Sequence, residues 1–383
     1  MRPVIPINSP HGYYEVGQYW PFLNKTEALH TASKYNKPVR WVFHENVFGS
    51  LDWTKIPTQT ISELHRDRAQ QIRDQYDYVI VNFSGGMDSW TVLHSFLSNN
   101  IHIDEIYTRW ARKERNYKSA DPLNTHESNL SSEFEYAVLP VLDYIKNTYP
   151  KINIVIDDYS EELEKDLPEN AVLLSNQYQT MPTFFRFNRK SEQEKQAEKQ
   201  GKKIGVVYGC DKIRCQVENN NFYAYFMDCM GGSDSDPSRK VEMFYWSKDF
   251  PMIPVAHAHG IKNYIKNNFT VQSEQKDSVV KKQEYREIYQ KVCYPEYNIQ
   301  TLQVGKPLGS LVWESDYWIK THNPRFYDSW TWTINQYFDS IQDHYLRKKQ
   351  NTTTGLRSFL SPMYLVETNV GLPDMNWFSH ISA

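Results

Sequence analysis

Ser84-Gly85-Gly86-Met87-Asp88-Ser89 places two adjacent glycines between hydroxyls and a carboxylate. Adjacent glycines let a backbone approach anionic oxygens that a Cβ would hold off, so that consecutive main-chain N–H groups face the anion. Ser84 and Ser89 add hydroxyl donors, and Asp88 brings a carboxylate able to hold Mg2+ or to cap a helix. This set suits a phosphate-bearing ligand. A second set is Gly209-Cys210-Asp211-Lys212. Asp211 is another candidate ligand for a divalent cation, and Lys212 is a compact charge suited to a pyrophosphate. An N-cap Asp beside a surface Lys reads the same way, so this short run gains weight only from its position in the chain.

The elements around these residues supply that position. Val79-Ile80-Val81, closed by Phe83, predicts a strand, and Trp90, Val92, Leu93 and Phe96 recur at helical spacing from about Asp88 onward. Strand, glycine turn and helix together bring free N–H groups at a helix N-terminus to an anion. A helix is predicted over 60–75, with Asp67, Arg68, Arg73 and Asp74 reading as a solvated charged face. Further strands are predicted over 101–108, 152–157 and 203–209, and a helix over 132–147 in which Pro140 marks a kink or a start. The alternation fits an α/β fold with an open, doubly wound, mostly parallel sheet. Ligands of such sheets lie outside the carboxyl ends of the strands, where 84–89, 107–110 and Asp157-Asp158 would meet. Residues 111–131 are polar; Arg109, Arg112, Lys113 and Arg115 either meet phosphates there or form a solvated basic loop.

The flanks divide the chain further. Residues 1–60 read as an N-terminal α+β extension, 61–215 as the nucleotide-binding unit, 216–250 as an insertion and 251–383 as a mainly helical C-terminal region. In the insertion the aromatic runs 222–228 and 241–247 flank a turn cluster at 231–237, which predicts that they pair as a β-hairpin. Helices are predicted over 161–174, 181–189, 257–267, 281–292 and 328–347, and a strand within 359–366. The charged run 190–203 reads as an exposed helix end or a flexible loop. His257 and His259, two residues apart, do not share a helix face, which argues against a paired metal site.

Composition narrows the partners. A net charge of −3 gives no basic footprint for nucleic acid. Four cysteines without a CxxC pair form no disulfide framework, which fits a reducing cytoplasm. There is no N-terminal apolar segment of signal-peptide type and no run of about 18 apolar residues, so neither secretion nor a membrane span is expected.

The six residues 84–89, following a buried-type strand, form an SGGxDS motif and resemble the PP-loop ATP pyrophosphatases, the adenine nucleotide alpha hydrolase-like superfamily. That superfamily includes asparagine synthetase, GMP synthetase, argininosuccinate synthetase, tRNA lysidine synthetase and phosphoadenylylsulfate reductase. The resemblance covers about residues 75–215. It implies that ATP and Mg2+ are bound and that a substrate oxygen attacks the α-phosphorus. Pyrophosphate then leaves, and a second nucleophile displaces AMP. By the same resemblance Ser84, Gly85, Gly86, Met87, Asp88 and Ser89 bind the nucleotide, with Tyr107 and Thr108 beside adenine. Asp88, Asp211 and Lys212 act in catalysis, and Asp88 and Asp211 hold the metal.

Several relatives are disfavoured. A glutamine-dependent asparagine synthetase needs a nucleophilic Cys after its first Met, where Arg2 stands. Phosphoadenylylsulfate reductase needs a Cys-bearing tail, yet no Cys follows Cys293. The queuosine-pathway enzyme carries a CxxC zinc site that is missing. The layout is most similar to phosphoadenylylsulfate reductase-like, stand-alone PP-loop proteins often carried by bacteriophages. The leading expectation is an AMP-forming ligase or transferase acting on a small molecule or a nucleic-acid base. The alternatives are sulfur transfer to nucleic acid through an iron–sulfur cluster on Cys210, Cys215 and Cys229, or a nucleotide-binding module without turnover.

Overall fold

The computed structural model describes residues 9–17, 20–23, 25–109, 134–158, 190–209, 212–228, 238–268, 288, 291–295, 359–372 and 374. The predicted helices over 161–174, 181–189 and 328–347 lie outside these residues, as do most of 281–292, the loop 111–131, and Cys210, Asp211 and Cys229.

The N-terminal segment forms strands β1 (Tyr13–Val16) and β2 (Trp20–Phe22), helix α1 (Lys25–Tyr35), strand β3 (Val39–Val42) and the short helix α2 (Glu45–Phe48). Its three strands make an antiparallel sheet in the order β2-β1-β3. Helix α3 (Ile61–Gln75) follows and starts at a capping box: the Glu63 N–H donates to Thr60 Oγ1 at 3.2 Å, and the Thr60 N–H donates to Glu63 Oε2 at 2.8 Å. Leu64, His65, Arg68, Ala69 and Ile72 are its buried stripe. Arg68 is therefore not on a solvated face. Its side chain is 0% exposed, bonded to Glu242 at 2.5 Å and to the Met243 carbonyl at 3.1 Å. Arg73 donates to Asp104 at 2.6 Å, and Asp104 also takes the Val79 N–H at 2.8 Å. Asp74, by contrast, is exposed.

The central unit runs β4 (Tyr78–Asn82), α4 (Met87–Leu97), β5 (Glu105–Arg109), a π-helical turn Phe134–Val138, α5 (Leu139–Thr148) and β6 (Asn153–Asp157). Pro140 sits in the first turn of α5, directly after the π-helical turn, so it marks the start of the α-helical part. Helix α6 (Glu192–Lys199) and strand β7 (Ile204–Tyr208) follow. The charged run is thus partly helical and not wholly exposed. Ser191 caps α6 and donates to Glu105 at 2.5 Å, and buried Glu194 pairs with Arg239.

Beyond β7 the structure departs from the expected hairpin. β8 (Arg214–Glu218) and β9 (Asn221–Tyr225) are the pair, antiparallel, and they turn at Asn219-Asn220. Both asparagines have positive φ, 50° and 61°, the conformation a two-residue hairpin loop demands. Residues 239–243 instead form β10 (Arg239–Met243), parallel to β7. Helix α7 (Met252–Asn268) and strand β11 (Tyr364–Glu367) complete the described elements; β11 adds to β9 in a sheet ordered β11-β9-β8.

The main sheet has five parallel strands in the order β10-β7-β4-β5-β6, flanked by helices, an α/β arrangement of Rossmann-like character. Chain order runs outward from β4 on one side through β5 and β6. It then returns to β4's other side for β7 and β10. The gap between β4 and β7 is therefore the topological switch point, where ligands of open sheets bind. Tyr78, Val79, Ile80 and Val81 are all buried, as a central parallel strand covered on both faces requires. The N-terminal segment packs into the same core through rings: Phe43 and Phe48 lie 4.9 and 4.5 Å from Phe226, and Trp53 stacks on Tyr364 at 4.7 Å. Among the described residues no helix is long and apolar enough to cross a membrane.

Candidate functional site

The turn from β4 into α4 stands at the carboxyl end of the sheet, on the switch-point strand. Gly85 has a φ of +78°, and a Cβ there would sit 2.9 Å from Val138 Cγ2 and 3.0 Å from Ala137 Cβ. The π-helical turn thus packs directly on the loop backbone, and only glycine fits. Gly86 is the N-cap of α4 and offers no side-chain cap to the first-turn N–H groups of this 11-residue helix. That is the donor array an anion meets at a helix start.

The two loop hydroxyls differ. Ser89 is 5% exposed; its Oγ donates to the Gly86 carbonyl at 3.1 Å and accepts the Ser84 N–H at 3.2 Å. It is an internal strut. Ser84 is exposed, and its Oγ lies 3.4 Å from Ser89 Oγ, too long for a strong hydroxyl bond. Ser84 therefore keeps hydrogen-bonding capacity that this long contact does not fill. Met87 is partly buried against the core.

Asp88 is where distant parts of the chain converge. Lys212, placed by the run between β7 and β8, donates to Asp88 Oδ2 at 2.6 Å across 124 residues. The Tyr294 hydroxyl donates to Asp88 Oδ1, and the Tyr245 hydroxyl donates to the Asp88 main-chain carbonyl at 2.7 Å. Gly209 permits this approach: a Cβ there would lie 2.8 Å from the same carbonyl oxygen. Burial, and after it the Asp88 carboxylate, hold the Tyr294 phenol well above its ordinary range, so it stays a donor. The structure brings Ser84, Gly85, Gly86, Met87, Asp88, Ser89 and Lys212 to one place; Asp211 lies outside the described residues. Tyr245 and Tyr294 were not singled out in the sequence. Their partner is more than 150 residues away, and an aromatic residue in an apolar stretch carries no sign of that.

The neighbouring strand end is internally bonded. Thr108 is buried and its Oγ1 donates to the Phe83 carbonyl at 2.7 Å, bracing the residue just before the loop. The Tyr107 hydroxyl donates to Asp157 Oδ2 at 2.5 Å, and Arg109 Nε donates to the same oxygen at 2.9 Å. The side-chain polar groups of Tyr107 and Thr108 are thus engaged within the protein. Tyr107's partly exposed ring is what remains for a ligand face.

Behind Asp88 lies a buried histidine pair. His65 Nε2 and His257 Nε2 are 3.2 Å apart, and the Tyr245 ring lies 5.5 and 5.7 Å from them. His257 Nδ1 is buried with no hydrogen-bond partner. An orphaned N–H costs more than a bare lone pair, so hydrogen-bond accounting puts the His257 proton on Nε2, donating to His65. Burial lowers the His65 pKa to about 3 and that of His257 well below the usual imidazole value. Both rings are neutral.

Cys215 and Cys293 are fully buried, and burial pushes both thiols up. Among the described residues no group of three or more His, Cys, Asp or Glu is placed to hold a metal ion. Comparison of the chain with protein-family models, with curated proteins and with solved structures finds no match.

Proposed function

We propose that this chain is an ATP-using enzyme of the PP-loop ATP pyrophosphatase type, which transfers AMP to an acceptor and releases pyrophosphate. The observation that carries this reading is the meeting of Asp88 and Lys212 beside the Ser84–Ser89 turn, at the switch point of a five-stranded parallel sheet. The donor set suits a polyphosphate: uncapped helix N–H groups, the exposed Ser84 and a lysine from the run that follows β7. The N–H groups of the turn and the helix start are fixed before the ligand arrives, so they stabilise charge growing on the leaving pyrophosphate without reorganising.

One carboxylate beside a phosphate site also suits Mg2+, which is commonly held by one or two carboxylates together with substrate phosphates. Asp88 would hold it, with Asp211 as the second candidate, and the ion would share the phosphate charge. Lys212 approaches from the β7 side and would neutralise the β- and γ-phosphates. The acceptor is a small molecule or a base in nucleic acid. Burial of Cys215 within the apolar core favours packing over a cluster ligand.

The test is incubation with α-labelled ATP, Mg2+ and candidate acceptors. AMP and pyrophosphate are expected, and Asp88→Asn should lower their formation by roughly 10²-fold or more without changing the circular dichroism spectrum. A protein that neither binds ATP nor forms either product would overturn the reading.

A further inference from the structure

Both carboxylate oxygens of Asp88 are taken, but by partners of unequal mobility. Tyr294 is 0% exposed and wedged beside the Tyr245 and His257 rings, at 5.5 and 6.3 Å. It has nowhere to go. Lys212 sits at the rim, where its side chain is 15% exposed and that of Asp88 is 25% exposed. Its four-carbon stem lets the ammonium swing without backbone movement. A divalent cation brought to Asp88 Oδ2 in this arrangement would meet an ammonium 2.6 Å from that oxygen. Two like charges sharing one carboxylate oxygen repel strongly.

We propose that Asp88 is held by an exchangeable clamp: Tyr294 keeps one carboxylate oxygen in place, while Lys212 covers the other until an anionic polyphosphate draws the ammonium away and leaves that oxygen to a divalent cation. The clamp rests on the polyphosphate-binding reading of the loop. It makes Lys212 a residue that changes partner within the site, not one recruited from solvent. It makes Tyr294 a positioning residue, acting through Asp88 alone. It also couples the two ligands. The cation binds poorly by itself, the anion creates its site, and the coupling is reciprocal.

The experiment uses the full chain and two probes, Mn2+ followed by electron paramagnetic resonance and metal-free tripolyphosphate followed by calorimetry in chelator. Without any phosphate, wild type should bind Mn2+ weakly. Lys212→Met should bind it about tenfold or more tightly, while Lys212→Arg, which keeps the covering charge, should stay as weak as wild type. Adding Asp88→Asn to Lys212→Met should erase the gain. Adding Tyr294→Phe should lose about tenfold of it, the usual cost of removing a group that orients a metal ligand. In the second arm Asp88→Asn should bind metal-free tripolyphosphate more tightly than wild type, because the Asp88 carboxylate no longer competes for Lys212.

Equal Mn2+ affinity in wild type and Lys212→Met, or a gain that survives Asp88→Asn, overturns the clamp. If tripolyphosphate still binds wild type in that case, the ATP reading stands without it. Tripolyphosphate binding by neither wild type nor Asp88→Asn overturns both. Should Lys212→Met fold poorly, the Asp88→Asn arm decides alone, equal anion affinity counting against the clamp.

Discussion

At the scale of single residues, the serine-rich turn separates into an exposed hydroxyl and one that braces the loop. Ser84 is exposed, whereas the Ser89 hydroxyl is taken up by the Gly86 carbonyl and the Ser84 N–H. On the proposed reading, Ser84→Ala should therefore weaken ATP binding with an unchanged urea midpoint. Ser89→Ala should lower stability as well, by about 1 kcal/mol for the lost internal bonds; paired calorimetry and urea titrations would show the split. Equal stability losses in the two variants would contradict this division. Gly209 makes a sharper case. Its Cβ position lies 2.8 Å from a carbonyl oxygen that also serves Tyr245. Gly209→Ala must push the end of β7 and the start of α4 apart, at an expected cost of about 1–3 kcal/mol by urea unfolding.

At the scale of elements, α3 is fastened to the sheet edge by a buried ion pair and not by apolar contact alone. Arg68 has no exposed side-chain surface, and Glu242 on β10 is its carboxylate partner. Glu242→Ala would strand that guanidinium, for which about 3 kcal/mol of stability is the expected loss; a loss below that of an ordinary surface substitution would show the pair to be dispensable. Such a contact was illegible in the sequence, because it joins residues 174 apart and an arginine on an amphipathic helix ordinarily faces water. The strands at 78–82, 153–157 and 204–208 were legible, since strands in parallel sheets read as continuous apolar runs. The hairpin was misplaced for a related reason. The glycine-rich cluster at 231–237 drew attention from Asn219-Asn220, whose left-handed backbone makes the actual turn. In the site, the loop motif and Lys212 were visible in the sequence, but the tyrosines that hold Asp88 were not. Composition marks a glycine turn set among hydroxyls and a carboxylate; it does not mark what leans on that turn from afar.

At the scale of the whole molecule, the neutral His65–His257 pair ties stability to pH. The unfolded imidazoles titrate near 6.5, whereas folded His65 titrates near 3 and His257 is also held far below its usual range. Below pH 6.5 the unfolded chain binds more protons than the folded one. The stabilisation is thus complete above that pH and falls as pH drops toward the folded values. The expected slope is about 1.4 kcal/mol per pH unit for each histidine. Urea midpoints at pH 7, 6 and 5 should fall accordingly, and His257→Gln should flatten the decline. A midpoint that rose on acidification would contradict the neutral pair. The order of the main sheet has another consequence, for the chain while it is being made. Strand β4 ends at Asn82, and its neighbour on the Lys212 side begins only at Ile204. A ribosome adding about 5–20 residues per second needs roughly 6–24 s to cover that distance. Throughout that interval the strand destined for the middle of the sheet exists as an apolar edge, its outer N–H and C=O groups open to any passing strand. Nascent chains halted before Ile204 should for this reason be the ones that aggregate or stay bound to chaperones.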